Sequence, residues 1–537
     1  MSSRRSVVLF AVLSCTALLG GADVTYYEEA LPTSMNPLFA RTMVDHRTHE
    51  LLFDRVTFHS PINQLLRSRV LVEDAADVPK SEVAGERAVK VWFREGIRWH
   101  DGEKVGPWDL CFTIRAMLDP ATASTQVDDA RESLASCEVV KSENAAIVRF
   151  TRDYRQPLEH LQFSLLPEHM FTGTAVRSDS DFSMRPIGSG PMRGARSGNA
   201  RSVSLTAFGN GNHSPQIPTM SVVPMGDPYI AVKTLLGGGV QGVLTVPPAL
   251  RGDVEAADDV ALKRYDLRSW WFIAVNTTRG PLADKRVRQA LDLTLDRSQL
   301  EELTVSAPEA ENSPIETISG PFVPTSPYYN RQVPTHPRAE LGQARDLMKA
   351  AGAVENLDRW FWKDKAISLK VGMNASLDAE AKDLLNQVGN QLQAGHFDRT
   401  GYLISDDEWS RSAVTGKMTD FDLLIGKWSF GQNDEVGSLF HTRAAGKGDR
   451  NLFGYSNAAV DSLLADYDAA KTDTEARDAY HGLHTLLADE LPYLFLWRLD
   501  TKSAWRNEVH NVTIAPYYYF TTFDGWRFDA AAPTTGN

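Results

Sequence analysis

The chain has 537 residues, 42% of them apolar, and a formal net charge of −13. This length predicts roughly three to four domain-sized units, and the apolar content is ample for buried cores. The negative charge argues against nucleic acid or an anionic membrane as a partner, because neutralising phosphates requires clustered Lys and Arg.

The first 22 residues have the pattern of a secretory signal peptide. Arg4 and Arg5 precede an apolar run over residues 7–13, and small residues follow as far as Ala22. The apolar run is too short for a transmembrane helix. Two processing routes fit this pattern: cleavage after Ala22, or cleavage before Cys15 with lipidation of that cysteine. We expect the mature chain outside the cytoplasm, and no later segment is long and apolar enough to span a bilayer.

The cysteine count bears on both processing and structure. The chain has three cysteines, so setting Cys15 aside leaves one couple, Cys111 and Cys137. A disulfide between them suits an exported protein. Two buried free thiols are the alternative, and the sequence leaves the two possibilities open.

Residues 24–56 predict a short strand, a proline-containing loop and an amphipathic helix. On that helix His46, His49 and Glu50 are spaced to share a face, which suggests a metal site. No third ligand follows at a characteristic spacing, so a solvent-exposed helix surface is the preferred interpretation.

The stretch from residue 89 to 118 predicts a strand, a turn and a helix. Val89, Val91 and Phe93 alternate with more polar residues, as in a strand with one buried face. The glycines of Glu95-Gly96 and Asp101-Gly102 suit tight turns. Pro107 and Asp109 are residue types favoured in the first turn of a helix. The predicted helix buries the face that contains Leu110, Ile114 and Met117.

The middle of the chain predicts further strands and one glycine-rich loop. Strands are expected over residues 137–140 and 146–151, and a helix near 229–236. Glycines over 186–191 would let chain segments cross without side-chain collision. The loop at 237–239 is not a phosphate-binding loop, because no lysine with Ser or Thr follows it.

The order of the motifs resembles that of the family 5 extracellular solute-binding proteins, the peptide- and nickel-binding receptors of bacterial ABC importers. Two departures are notable: Gly106-Pro107 stand where the family opens a helix with threonine-alanine, and residues 239–243 lack both acids of a G-E-I/V-D motif. The matching segments are Ser34-Met35-Asn36-Pro37, Leu52-Phe53-Asp54-Arg55-Val56, Trp99-His100-Asp101-Gly102, Pro167-Glu168-His169-Met170-Phe171, Gly188-Ser189-Gly190-Pro191 and the block over 270–297.

The resemblance implies an α/β, periplasmic-binding-protein-like fold with two lobes around a ligand cleft and an additional domain inserted in the first lobe. The implied division is a signal peptide (1–22), domain I (23–45, 185–267 and 499–529), domain II (46–184), domain III (268–498) and a tail (530–537) that we expect to be disordered.

By the same resemblance, the chain is a receptor that delivers a peptide or peptide-like solute to the permease subunits of an importer. Closure of two lobes over a ligand shifts a population that a transporter can detect. Such a receptor needs no catalytic residue, cofactor or metal, and we expect a monomer. A sensory or assembly protein on the same fold is an alternative. An enzyme is a further alternative. His481 with His484, or Asp420 with Asp422, could then serve as acid–base pairs.

The resemblance also indicates which residues line the cleft. Each tryptophan among them could instead belong to a core. In peptide-binding relatives an aspartate three residues after the cleft tryptophan pairs with the ligand's α-ammonium, but here Gly431 has that place after Trp428. Asp434 follows in the same segment and could replace it. The candidate residues are Thr33, Trp270, Trp271, Trp409, Trp428, Ser429, Phe430, Gly431, Asp434 and Trp497.

Overall fold

The structure is a computed structural model of the chain. It describes residues 24–59, 66–67, 70–79, 87–196, 201–209, 213–265, 268–304, 315–375, 381–405, 408, 417–430, 436–442, 451–499, 501–514 and 518–529. The predicted signal peptide, Cys15 and the tail lie outside these residues.

The described part of the chain contains strands and helices in an α/β order. The strands before residue 266 are β1 (Val24–Glu28), β2 (Phe58–His59), β3 (Leu66–Arg67), β4 (Val72–Asp77), β5 (Ala88–Phe93), β6 (Leu134–Val140), β7 (Ala145–Phe150), β8 (Met192–Ala195), β9 (Val203–Ala207), β10 (Thr219–Pro224), β11 (Gly242–Val243) and β12 (Val260–Arg264). The later strands are β13 (Arg268–Val275), β14 (Ile315–Thr317), β15 (Val354–Asn356), β16 (Arg359–Trp362), β17 (Lys365–Ala366), β18 (Ser368–Asn374), β19 (Asp398–Ile404), β20 (Leu423–Phe430), β21 (Tyr493–Leu499), β22 (Lys502–Arg506), β23 (Val509–His510) and β24 (Arg527–Phe528). The helices are α1 (Met43–Leu52), α2 (Pro107–Leu118), α3 (Asp128–Ser133), α4 (Pro228–Leu236), α5 (Arg251–Glu255), α6 (Lys285–Thr294), α7 (Arg297–Thr304), α8 (Leu341–Ala351), α9 (Ala381–Ala394), α10 (Gly437–Phe440), α11 (Ala458–Ala469) and α12 (Asp473–Glu490).

Two large mixed sheets organise the molecule. The first has seven strands in the order β12-β22-β11-β1-β10-β9-β8, with β1 parallel to both β10 and β11. The second has six strands in the order β14-β21-β13-β20-β18-β19, with β18 parallel to β19 and β20. Both therefore mix hairpin-type pairs with parallel pairs that need crossover connections.

Separate hydrophobic cores accompany the two sheets. One core consists of residues between Trp270 and Trp497, all from the part of the chain that contains the six-stranded sheet. The other large core joins residues between Val24 and Tyr265 with residues between Trp505 and Trp526. Because each core is built from its own part of the chain, the fold consists of two lobes.

A four-stranded antiparallel sheet, β4-β5-β7-β6, lies in the first lobe. Helix α2 begins at Pro107, as the sequence predicts, and the Asp109 carboxylate accepts the N–H of Gly106 at 2.9 Å. Gly96 and Gly102 have φ angles of 84° and 95°, which glycine adopts without strain. The predicted strand, turn and helix over residues 89–118 are therefore confirmed.

Two sequence motifs meet at His100. Its Nδ1 accepts the N–H of Gly188 at 3.1 Å, and its Nε2 lies 3.1 Å from the carbonyl oxygen of Gly190. A Cβ atom on Gly188 would overlap the backbone at Leu52. Both glycines are therefore required because three chain segments cross here at backbone distance, as the sequence predicts.

Cys111 and Cys137 form a disulfide that joins α2 to β6. Of the two possibilities that the cysteine count left open, the disulfide is the one present. In the described part of the chain, no helix has the length and apolar character needed to cross a membrane.

Side chains also join the two lobes directly. Residues that follow β7 in the first lobe contact residues of α11, α12 and the segment between them in the second lobe. The Arg152 guanidinium donates to Asp468 at 2.9 Å, and Lys471 Nζ lies 3.5 Å from Asp153 Oδ2. The remaining contacts of this group are Arg155–Asp473 and Gln156–Asp473. We call this group the inter-lobe ion-pair patch.

Candidate functional site

The chain passes between the lobes at two neighbouring places. It leaves β12 at Arg264 and enters β13 at Arg268, and it returns from β21 at Leu499 to β22 at Lys502. Arg264 pairs with Lys502 in the first lobe, and Trp270 pairs with Arg498 in the second. The beginning of β13 and the end of β21 therefore lie at the end of the six-stranded sheet that faces the first lobe.

The same end of the six-stranded sheet contains the end of β20. Because β20 runs antiparallel to β13, its last residues pair with the first residues of β13: Trp428 with Trp270, Ser429 with Ser269, and Phe430 with Arg268. We call this end, made by residues 268–271, 427–430 and 497–499, the cleft end of the second lobe.

The first lobe presents a corresponding end. Strand β1 runs parallel to β10 and β11, with Tyr27 beside Val243, and Val243 pairs with Ala504 of β22. The C-terminal end of β1 is therefore on the side at which the chain crosses to the second lobe. The loop after β1, which contains Thr33, begins at that end.

Thr33 is exposed, but its polar groups are bonded within the protein. Its backbone N–H and its Oγ1 donate to the Asp45 carboxylate, the latter at 2.8 Å. Burial would raise the pKa of Asp45, but hydrogen bonds from Arg41, Thr33 and Thr42 hold it below its ordinary value. A ligand at Thr33 would meet a loop that is already fixed to the start of α1.

Three predicted site residues are core residues of the second lobe. Trp270, Trp271 and Trp497 are at most 1% exposed. Strand β13 lies between β20 and β21, and core residues cover both of its faces. These tryptophans offer no surface to a solute in this conformation, so a contact with the ligand stays a prediction for them.

Trp428 differs from these three because it is only partly buried. Its ring stacks on Phe272 with centroids 5.5 Å apart. The backbones of Ser429 and Phe430 continue β20 to the cleft end. Trp409, Gly431 and Asp434 lie outside the described residues, so their roles also stay predictions.

A buried ion pair that the sequence analysis missed fixes the end of β1. Arg47 of α1 donates from Nε and Nη2 to the two carboxylate oxygens of Glu28, at 2.6 and 2.9 Å, and both residues are 2% exposed. Burial raises the pKa of Glu28, and the charge of Arg47 opposes that shift. No spacing rule pairs residues 28 and 47, since they belong to different elements.

The interpretation of α1 as having a solvent-exposed histidine face is wrong. His49 is 3% exposed, and its Nε2 lies 3.0 Å from the carbonyl oxygen of Ser34. Burial lowers the pKa of His49 to about 3 and that of His46 to about 4. The helix packs this face inward because a backbone acceptor is available. Among the described residues, no group of His, Cys, Asp and Glu is arranged to hold a metal ion.

One member of each pair drawn as acid and base has structural partners. His484 is fully buried, with Nδ1 accepting the N–H of Asn330 at 3.1 Å and Nε2 3.0 Å from Ser319 Oγ. Burial lowers the pKa of His484 to about 4. Asp422 accepts the backbone N–H of Lys370 at 2.8 Å and so joins β18 to the start of β20.

Comparison with known proteins agrees with this architecture. The model of the bacterial extracellular solute-binding proteins, family 5, matches residues 75–442. Protein XP55 of Streptomyces lividans is 26% identical over 79% of this chain and 76% of its own. The oligopeptide-binding protein AppA of Bacillus subtilis is 23% identical over 94% and 91%.

Solved structures share the fold. The structure of AppA from Bacillus subtilis in complex with a nonapeptide has a TM-score of 0.79 at 19% identity and covers 94% of this chain and 98% of its own. NikZ from Campylobacter jejuni in complex with Ni(L-His) has a TM-score of 0.77 at 18% identity, with coverage of 94% and 100%. Since the family model matches more than half of the residues, the chain belongs to the bacterial extracellular solute-binding proteins, family 5.

Proposed function

We propose that the chain is the receptor of an ABC importer, that it binds a peptide or peptide-like solute between the lobes, and that it delivers the solute to membrane permease subunits. The observation that carries the proposal is the pair of facing sheet ends, joined by two adjacent chain crossings. Two bodies joined in this way can close over a solute and bury it. The relatives described as peptide-binding proteins support a peptide as the class of solute.

A domain division follows from the same features. We propose domain I as 23–45, 185–267 and 499–529, domain II as 46–184 and domain III as 268–498. One hydrophobic core contains only residues between Trp270 and Trp497, and this supports domain III as a separate unit. We propose that the mature chain is a monomer, either released after Ala22 or anchored by lipid at Cys15. Replacing Cys15 with serine tests the anchor, because release identical to that of the unchanged chain excludes lipidation.

A non-peptide solute is the second candidate. Gly431 has the place at which peptide-binding relatives have an aspartate for the ligand's amine, and glycine cannot offset the desolvation of a buried cation. A structural neighbour in complex with Ni(L-His) shares the fold at similar overall likeness. A solute that binds without a free amine is compatible with both observations.

Native mass spectrometry of the protein purified under mild conditions tests the proposal. We expect bound masses that fragment as peptides and disappear after unfolding and refolding. Each recovered peptide is then titrated in its free and N-acetylated forms, and we expect similar affinities because Gly431 supplies no anchor. Acetylation losses that Asp434→Asn abolishes would assign the amine anchor to Asp434. Recovery of non-peptide solutes alone would favour the second candidate.

A further inference from the structure

Lys427 is an exposed cation at the cleft end of the second lobe. It lies on β20 next to Trp428 and pairs across the sheet with Trp271 of β13. Cross-strand partners point to the same face of a sheet. Lys427 is therefore on the face of Trp271, whereas Trp428 is on the opposite face with Trp270 and Phe272.

The Lys427 ammonium rests near an aromatic ring that cannot move freely. Its Nζ lies 5.8 Å from the centroid of Trp271, within the range of a cation–π contact. Trp271 is buried and packs against Trp497, with ring centroids 6.4 Å apart. A buried ring under the ammonium limits the positions that the charge can take, which favours a binding role over that of a freely moving surface lysine.

The charge of Lys427 is not neutralised by the residues that the structure describes. Among the described residues, Lys427 has no carboxylate within ion-pair distance. At the same end of the sheet, Arg498 donates from Nε to Glu316 at 2.9 Å. A closure of the lobes that covered the Lys427 ammonium would remove its water, and this desolvation is costly unless an anion takes the place of the water.

Two hydrogen-bond donors of the same tryptophan pair also lack acceptors. Within the described part of the chain, neither Trp271 Nε1 nor Trp497 Nε1 has a hydrogen-bond partner, although both atoms are buried. A buried N–H without an acceptor is unfavourable, because the group has lost its water and gained no partner. Among the described residues, the Lys427 ammonium and the two indole N–H groups beside it therefore have no acceptor.

We propose that Lys427 binds an anionic group of the solute, and that this contact selects solutes with a carboxylate. The inference rests on the proposed function and specifies the chemistry of its ligand. In a peptide the carboxylate is either the C-terminus or an acidic side chain. The contact is charge-assisted and lies within a closing cleft, so its loss should weaken binding about ten- to a hundredfold.

The experiment is a cycle of titrations. Peptides that bind the unchanged protein are compared with their C-terminal amides and with forms in which Glu is replaced by Gln. The proteins are the unchanged chain, Lys427→Met, Lys427→Arg and the matched control Lys370→Met. Lys370 is also exposed and lies on β18 beside Asp422, at the opposite end of the same sheet, so its replacement makes the same change in net charge away from the cleft end.

We expect removal of one carboxylate from the peptide to weaken its binding to the unchanged chain about ten- to a hundredfold, and to weaken binding to Lys370→Met by the same factor. The same change to the peptide should have little effect on binding to Lys427→Met and an intermediate effect on binding to Lys427→Arg. The sensitive position on the peptide distinguishes the C-terminus from a side chain. Equal losses in the unchanged chain and Lys427→Met, or no loss in either, would overturn the inference. If no peptide binds the unchanged chain, the proposed function fails instead.

Discussion

Trp428 is the one tryptophan of the cleft end that combines a stacking contact in the core with solvent exposure. Its ring lies on Phe272, which in turn stacks on Tyr493 with centroids 4.7 Å apart. Trp270 packs in the same cluster, 5.5 Å from Phe272, but it is fully buried. The two residues should therefore respond differently to truncation.

We predict that Trp428→Ala lowers solute affinity by about 1–3 kcal/mol and leaves the protein folded, as expected for an aromatic anchor. Trp409→Ala should behave in the same way. By contrast, Trp270→Ala should lower the free energy of unfolding by about 3–5 kcal/mol, because it opens a cavity in the core. Calorimetric titration and denaturant unfolding of each variant provide the measurements. Unchanged affinity with a lowered melting temperature for Trp428→Ala would assign that ring to the core.

His213 forms a buried charge cluster in the first lobe. Its Nε2 lies 2.9 Å from Asp54 Oδ1, and its Nδ1 lies 2.8 Å from Asp524 Oδ2. Burial would lower the pKa of His213, but the two carboxylates raise it to about 9. Burial raises the pKa of nearby Glu50 to about 8, because it disfavours the charged carboxylate. Both groups therefore hold protons more tightly in the folded protein than in the unfolded chain.

A group whose pKa is higher in the folded protein than in the unfolded chain stabilises the folded state. This stabilisation is fully present at a pH below the unfolded-state pKa, and it is lost as the pH rises to the folded-state pKa. For His213 the window lies between about pH 6.5 and 9. We predict that His213 lowers the free energy of unfolding by on the order of 3 kcal/mol across this window, and that His213→Gln removes this part of the pH dependence and leaves the part due to Glu50, which ends near pH 8. The half-exposed His510 supplies a matched control, since His510→Gln should leave the dependence intact. The same slope in His213→Gln would refute the assignment.

At the scale of elements, Asp109 connects the start of α2 with the turn before that helix and with a segment 59 residues later in the chain. Its carboxylate accepts the N–H of Gly106 at the start of α2, the N–H of Glu168 at 2.9 Å, and the indole N–H of Trp99 at 3.3 Å. It is fully buried. Helix capping, the turn after β5 and the segment after residue 166 therefore depend on one side chain.

We predict that Asp109→Ala lowers the free energy of unfolding by about 2–5 kcal/mol, because several buried donors lose their acceptor. Asp128→Ala is the comparison, because Asp128 is exposed and its pair with Arg131 is worth little. Guanidinium unfolding followed by circular dichroism measures both. A loss for Asp109→Ala no larger than that for Asp128→Ala would show that α2 does not depend on this cap.

Local patterns predicted elements better than they predicted partners. The start of α2 follows from Pro107 and Asp109, whose preference for a first turn is a local property. Residues 419–428 have the pattern of a strand, but β20 occupies Leu423–Phe430, because the preceding residues form a 3-10 turn, Lys417–Asp420, and Asp422 bonds to β18. Register of this kind depends on a strand that is remote in sequence.

The candidate site shows the same division. The location of the candidate site in the chain is inferred from the order of the motifs. The burial of Trp271 and Trp497, by contrast, results from the central position of β13 in its sheet and from tertiary neighbours that sequence periodicity does not reveal. Lys427 has no sequence signal of its own, and its pairing with Trp271 is what distinguishes it from other surface lysines. The pairing of Glu28 with Arg47 is likewise a tertiary contact.

At the scale of the whole molecule, the inter-lobe ion-pair patch bears on closure. Arg155 is 10% exposed at its side chain and also lies 5.9 Å from the Tyr467 ring, whereas Arg152 and Asp468 are more exposed. Exposed pairs contribute up to about 1 kcal/mol each and are screened by salt. The patch as a whole is therefore able to shift an open–closed population several-fold.

We predict that Arg152→Asp raises the open population and weakens solute binding a few-fold, and that adding Asp468→Arg restores both by reversing the pair. The distance between the lobes, measured with spin labels on each, reports the population, and high salt should reduce the difference between the variants. Equal lobe separation in the single and the double variant would show that the lobes pivot about the patch without breaking it.

The central claim is that a peptide or peptide-like solute binds between the two lobes. Calorimetric titration of ligand-free protein with a library of di- to nonapeptides tests it most directly. We predict saturable binding of one peptide per chain for part of the library, with affinity lowered in Trp428→Ala and in Lys427→Met and unchanged in Lys370→Met. Absence of saturable binding for every peptide, in protein whose unfolding is cooperative, would contradict the claim.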